Sequence, residues 1–189
     1  VLVLWQGLGY QRRAKALLNI AKSTKQLPKS YDELLTLSGI GPYTGGAVMA
    51  FAYDTFSHPV LETNIRTVLI EHFHQGEENI HDGLLYDDLS RLVKYKNIHA
   101  LGARHFYYAL MDMGAHLKAN KISHNTKSAH HSVQSRYEGS LRQLRAATLF
   151  AITHGAPLSN DERLPKVLEQ LLKEKYIIKK RNSYCINNN

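Results

Sequence analysis

The run Leu37-Ser38-Gly39-Ile40-Gly41-Pro42-Tyr43-Thr44, set between two helical patterns, constrains this chain more than any other stretch of it. Glycines at 39 and 41 let the backbone reverse tightly with no Cβ in the way. Pro42 falls at the first turn of the next helix, where its missing N–H is harmless. A helix started this way aims free N–H groups and its positive dipole end outward, an arrangement suited to a phosphate. Gly-x-Gly also occurs in plain helix–helix turns. The longer string, continued by Gly45, Gly46 and Ala47 with room for close helix packing, favours the phosphate reading. About twenty residues further on, Glu62 opens another helical pattern in Leu-Glu-Thr-Asn.

Charge narrows the partners. The 189 residues carry 24 Lys+Arg against 16 Asp+Glu, a net +8, with 11 His besides. This excess favours a polyanion and salt-sensitive binding, without choosing among DNA, RNA and a membrane surface. The apolar runs, such as Ala47 to Tyr53, are too short to span a bilayer. The single cysteine, Cys185, permits no internal disulfide and cannot by itself supply a zinc–thiolate or iron–sulfur site. A reducing, cytoplasmic setting fits. The chain opens Val-Leu-Val-Leu-Trp with no initiator Met, so a fragment lacking preceding helices is expected.

Helical periodicity dominates until the C-terminus. Helices are expected over Gln11 to Ser23, Tyr31 to Leu37 (Ser30 as N-cap), Pro42 to Tyr53, Glu62 to Phe73, Asp82 to Lys94 and Ala103 to Lys118. From His116 to Arg145 the chain carries six Lys and Arg against one acid, Glu138. Beyond it come helices at Leu141 to Thr153 and Leu164 to Lys175, then two short β runs around Arg-Asn-Ser. Helices followed by a terminal hairpin suggest a winged-helix-like module, whose middle helix would have to fit around Ser159 to Arg163. The expected division is a core at 1–118, a basic linker at 119–139 and the module at 140–189.

Four blocks carry a family resemblance: Leu4-Trp5-Gln6-Gly7-Leu8-Gly9-Tyr10, Gly39-Ile40-Gly41-Pro42-Tyr43-Thr44, Val60-Leu61-Glu62-Thr63-Asn64-Ile65-Arg66, and Ala109-Leu110-Met111-Asp112-Met113-Gly114-Ala115. In this order they resemble the helix-hairpin-helix/Gly-Pro-Asp superfamily of DNA glycosylases, and within it the A/G-specific adenine glycosylases, over roughly residues 1 to 117. The resemblance implies a mostly α fold: a six-helix glycosylase core, truncated at its N-terminus, with the winged-helix-like module appended. It implies an enzyme of base excision repair that flips a base out of duplex DNA and hydrolyses its N-glycosidic bond.

Roles follow residue by residue from the resemblance. Glu62 would stabilise positive charge on the sugar, in a position where the family usually has Asp. The extra methylene shifts the carboxylate by roughly an ångström, a misplacement that can cost about a hundredfold in rate unless the backbone compensates. The alternative for Glu62 is simple complementation of its helix dipole. Asn64 would position water or the sugar, or serve as a first-turn polar residue. Tyr43 stands where lyase-active relatives carry Lys, which implies a monofunctional enzyme, and it would assist at the target nucleotide or pack on the hairpin. Tyr10 would wedge into the stack, or pack with Trp5. Gln6, Gly39, Ile40, Gly41, Thr44, Arg136 and Arg142 complete the expected DNA contacts.

The family's base-protonating Glu lies upstream of the Trp5 block, outside this chain. Its four-cysteine iron–sulfur loop and its 8-oxoguanine-reading domain have no counterpart in the sequence. No cofactor and no metal site are expected, the histidines at 116, 124, 130 and 131 lacking tight ligand spacing. The expected partner is double-stranded DNA with a mispaired base, adenine first, bound by a monomer with no membrane association. A cytoplasmic location is expected, on the nucleoid if the source is bacterial. Two alternatives stand: a glycosylase for another mismatched or damaged base, and a catalytically weak helix-hairpin-helix DNA-binding protein.

Overall fold

Helices account for most of the chain because its apolar residues recur at three- and four-residue spacing, and the longer helices bury the resulting stripe. The structure, a computed structural model, describes every residue except Leu2, Asn182, Asn188 and Asn189. It resolves into two compact units: Ala16–Ser132, here the hairpin unit, and Val1–Lys15 with Val133–Asn189, the terminal unit. This grouping differs from the division expected at 1–118, 119–139 and 140–189. The first fifteen residues group with the C-terminal part, and residues 119–132 with the core.

Helix α1 (Gln11–Ser23) lends its residues from Ala16 onward to the hairpin unit, which continues through α2 (Tyr31–Leu35), α3 (Pro42–Phe51) and α4 (Thr63–Phe73). It is completed by α5 (Asp82–Leu92), α6 (Lys96–Leu101), α7 (Ala103–Ala119) and a 3-10 turn at Asn125–Lys127. The core gathers Val60, Ile65, Leu69, Leu85, Leu89 and Phe106, with α4 packed along α7. Helix α6 was not expected from the sequence. It is a short piece with no buried residue, stopped by Gly102 at φ 84°, and Asp54 Oδ1 then accepts the Arg104 N–H at 2.8 Å in the first turn of α7. A six-residue helix, from which Ile98 packs on the core, is too short to leave a clear periodic signal.

The stretch after α7 is attached to the core, which explains why it is no free linker. Ile80 and Ser128 form an isolated bridge, with Ile80 N–H donating to Lys127 at 2.8 Å and Ala129 N–H to Ile80 at 2.9 Å. The His124 imidazole is paired with Glu71 on α4.

In the terminal unit, α8 (Leu141–His154) and α9 (Leu164–Lys173) pack with β1 (Ile177–Lys180) and β2 (Ser183–Ile186), an antiparallel pair in the register Ile177 to Ile186. Leu144, Leu149, Val167, Leu171, Tyr176 and Ile177 form its core. The Arg-Asn-Ser turn expected between the strands includes Asn182, outside the described residues. No helix occupies Ser159–Arg163, so the middle helix of a winged-helix module is replaced by a turn. Asp161 organises it, accepting Arg163 N–H at 2.9 Å and Nε at 2.8 Å, and Arg163 side-chain hydrogen bonding holds the Asp161 carboxyl down at about 2. Among the described residues no helix is long and apolar enough to cross a membrane.

A histidine network in the hairpin unit is pH-sensitive. His74 Nε2 lies 2.7 Å from Asp88 and Nδ1 3.2 Å from Glu77. Burial alone would lower its pKa, but the hydrogen bonds and charges of the two carboxylates outweigh burial and raise it above 6.5. The stability this contributes is complete below the unfolded imidazole's value and is lost as pH rises through the raised one. Urea unfolding at a series of pH values above about 6 should show stability falling through this window, with a shallower fall in His74→Gln.

Candidate active site

The carboxylate singled out in the sequence caps its helix rather than beginning it. Glu62 is the N-cap of α4, in extended backbone, and its Oε1 accepts the N–H of Asn64 at 2.8 Å and of Ile65 at 2.9 Å. Two of the orphan donors of α4 are thereby satisfied. Oε2 accepts no hydrogen bond from the described residues. Glu62 is thus a cap as well as a charge at the positive end of its helix, and capping uses only one of its carboxylate oxygens.

Contacts on either side hold the segment before Glu62. The Val60 N–H donates to the buried Tyr107 hydroxyl at 3.2 Å. Across from it, Gly46 of α3 lies so close that a Cβ there would sit 3.4 Å from the His58 carbonyl oxygen and 3.5 Å from that of Pro59. The start of α4 is fixed by α7: a Cβ on Gly114 would come within 2.4 Å of the Asn64 carbonyl oxygen and 2.6 Å of its carbon. Only a glycine fits there. The sequence assigned Gly114 no role of its own, and the available signal was a glycine inside an apolar helix. Asn64 sits at this crossing, and its side chain makes no hydrogen bond with the described residues.

The hairpin is built as its glycines require. Gly39 has φ 78°, and a Cβ on it would lie 2.5 Å from the Ala16 Cβ, so both conformation and space demand glycine. Gly41 caps α3 with Pro42 at N1. Ile40 corrects the expectation of three free amides, because its N–H donates to the Leu37 carbonyl at 3.1 Å and is spent within the turn. Among the described residues the amides of Ser38, Gly39, Gly41, Tyr43 and Thr44 have no partner, and Tyr43 and Thr44 are exposed in the first turn of α3. Gly45 packs against Tyr31 and Leu35 of α2.

Tyr43 comes near Glu62. Partial burial raises its phenol pKa, and the Glu62 charge raises it further. The phenol is thus a proton holder, a hydrogen-bond donor rather than a base. Glu62, Asn64, Tyr43 and the hairpin all belong to one unit.

Tyr10, Gln6, Arg136 and Arg142 belong to the terminal unit. Tyr10 is 57% exposed at φ 46°, with the guanidinium of Arg13 5.6 Å from its ring centroid and that of Arg12 5.8 Å away. Its ring is presented to solvent and not packed on Trp5 as a core residue. Gln6 is half-buried, and its Nε2 is buried with no hydrogen-bond partner among the described residues. Arg136 is paired with Glu138, and Arg142 donates to the Ser135 carbonyl while lying over Tyr137. Among the described residues no group of His, Cys, Asp or Glu side chains comes together in a way that could hold a metal ion.

Comparison with known proteins bears on the hairpin and on what the chain is similar to. A helix-hairpin-helix motif model matches residues 25–51, the span from α2 through α3. An adenine DNA glycosylase of Buchnera aphidicola subsp. Baizongia pistaciae is 34% identical over 121 residues, covering 61% of this chain and 33% of that protein. An adenine DNA glycosylase of Mycolicibacterium smegmatis is 46% identical over 79 residues, 39% of this chain and 27% of its own length. The adenine DNA glycosylase of Mycobacterium tuberculosis H37Rv is 35% identical over 122 residues, 61% of this chain and 38% of its own. The chain thus spans about a third of the length of these relatives.

Gly114→Ala should lower the urea midpoint with little change in the denaturant slope, by about 1–3 kcal/mol of overpacking. Equilibrium unfolding followed by circular dichroism measures it.

Proposed function

From its similarity to the helix-hairpin-helix DNA glycosylases, and among them to adenine glycosylases, we propose that this chain carries the sugar-facing half of an adenine glycosylase site acting on mispaired DNA. The observation that carries the reading is the free Oε2 of Glu62, on a carboxylate held rigidly by two backbone amides beside Tyr43. The hairpin amides of Gly39, Gly41, Tyr43 and Thr44 would take a backbone phosphate.

In the reaction, the bond between C1′ and the base nitrogen breaks, and its electron pair leaves with the base, which takes up a proton. Positive charge gathers on the sugar, where a preorganised carboxylate lowers the barrier without reorganising. Water then adds to C1′ and releases a proton. Asn64, whose side-chain amide makes no hydrogen bond with the described residues, stands in the first turn of the helix that Glu62 caps and would orient that water or the sugar. Tyr43 supplies no amine for a Schiff base, so the product is an intact abasic site. Glu in place of the usual Asp is accommodated by making the side chain a cap: the extra methylene is folded back onto the helix.

We further propose that this chain works without an iron–sulfur cluster. The segment after α7 contains no cysteine, so its residues do not fit the relatives' four-thiolate loop. Pairing of Ile80 with Ser128 and of His124 with Glu71 attaches the segment instead.

Glu62→Gln separates the two roles of this residue, because an amide oxygen still accepts the two N–H bonds while the charge is removed. Stability should change by less than about 1 kcal/mol, and the single-turnover excision rate should fall by about 10²–10³. The assay uses the protein made from the complete reading frame on duplexes with A opposite G, A opposite 8-oxoguanine, and T or U opposite G, reading abasic sites by alkaline cleavage. Absence of abasic product from every duplex would overturn the enzyme reading. Product from T or U alone would move it to another base, and full activity in Glu62→Gln would remove the carboxylate from the mechanism.

A further inference from the structure

The excess charge is not where the basic stretch His116–Arg145 suggests. The hairpin unit holds eleven Lys and Arg and eleven Asp and Glu, so it is formally neutral. The terminal unit holds the remaining thirteen basic and five acidic residues, the whole of the net +8. Lys127, one of the cations of the basic stretch, pairs with Glu78 at 3.8 Å inside the neutral unit.

These charges are organised around an open groove of about 720 Å³ lined by Tyr10, Arg12, Tyr137, Arg142, Arg145 and Tyr176, among others. Arginines and tyrosines alternate: Arg12 lies 5.8 Å from the ring centroid of Tyr10, Arg142 6.0 Å from Tyr137, and Arg145 5.2 Å from Tyr176. Glu174 also lines the groove, and it neutralises Arg145 through two hydrogen bonds. Arg145 is therefore a framework residue. Arg12 is exposed and makes no ion pair or hydrogen bond through its side chain, and Arg142 has donors left after its one bond to Ser135. Tyr10 and Tyr137 present more than half of their surface to solvent. On β1 and just beyond it, Lys179, Lys180 and Arg181 are exposed as well.

Cations with free donors beside exposed aromatic faces make a surface for a nucleic-acid strand, the cations for phosphates and the rings for sugars or bases. We infer that the terminal unit binds the phosphodiester backbone through this groove and supplies most of the protein's DNA affinity, while the neutral hairpin unit supplies the chemistry. Because both belong to one chain, DNA held by the first is at high effective concentration for the second. The inference rests on the glycosylase reading only for the identity of the polyanion.

The test titrates the whole chain with a short fluorescein-labelled duplex, and with the same strand unpaired, by anisotropy at several KCl concentrations. Removing one cation that touches a phosphate should reduce the log–log salt slope by about 0.9 on duplex or 0.7 on single strand. Arg12→Gln should lower the slope by about one and Arg12→Gln with Arg142→Gln by about two, weakening binding at moderate salt about tenfold. Lys22→Gln with Lys25→Gln, the same charge change in the neutral unit, should leave slope and affinity near those of the parent. Unchanged slopes in the groove variants, an equal fall in the lysine control, or no binding by the parent chain at low salt would overturn the inference. If the double variant melts early by circular dichroism, Arg12→Gln alone decides, since the Arg12 side chain makes no hydrogen bond or ion pair with the described residues. None of these readings depends on excision, so failure of the glycosylase assay and failure of this inference are separately visible. The duplex and single-strand arms show which form the groove takes.

Discussion

The close passage of α7 over the first turn of α4, at Gly114 and Asn64, is the contact on which the candidate site depends. Any side chain at 114 would occupy the space of the Asn64 carbonyl. With glycine there, α4 seats against α7, Ile65 and Leu69 reach the core, and Tyr107 of α7 receives the Val60 N–H just ahead of Glu62. The carboxylate is thus positioned by backbone packing on one side and by two helix amides on the other. Neither restraint uses a flexible side chain, which is how a charged group can be aimed without large reorganisation during a reaction.

That geometry also shows how Glu is accommodated at position 62. A shorter acid could cap the helix equally well, but a longer one must fold back to do so. Here it does, and one oxygen remains available. The neighbouring phenol of Tyr43 keeps its proton because burial and the adjacent carboxylate both disfavour its ionised form. Acid and phenol therefore stand as acceptor and donor at one end of the hairpin, next to the free amides of α3. The hairpin itself is less generous than its motif implies, since the Ile40 amide closes the turn.

Net charge and the candidate site fall in different units. The unit holding the Glu62 carboxylate is formally neutral, and a unit with all the net charge attracts polyanions irrespective of sequence. The same division explains why the stretch from His116 to Arg145 misleads when read linearly. Its first part is bound to the core by backbone pairing and by the His124–Glu71 contact, and its last part belongs to the Arg–Tyr groove.

Local rules made much of this legible. The glycines of the hairpin, Pro42 at a helix start, Ser30 as an N-cap and the apolar stripes of α1, α4, α7 and α8 follow from backbone conformation and periodicity, which act over a few residues. So did Glu62 as a helix-start carboxylate, and the resemblance to glycosylases came from blocks in order along the chain. The sequence did not reveal α6, the turn at Asp161 in place of a helix, the spent amide of Ile40 or the buried nitrogen of Gln6. Nor did it show that Gly114 is required by Asn64, fifty positions earlier. Those depend on which distant surfaces meet, and helix–helix distance and charge partitioning are set by packing between residues far apart in the chain. The sequence by itself determined the longer helices, the hairpin and the identity of the acid. Only the tertiary structure decided which oxygen of that acid is free, because capping and the crossing at Gly114 exist only once α4 and α7 are together.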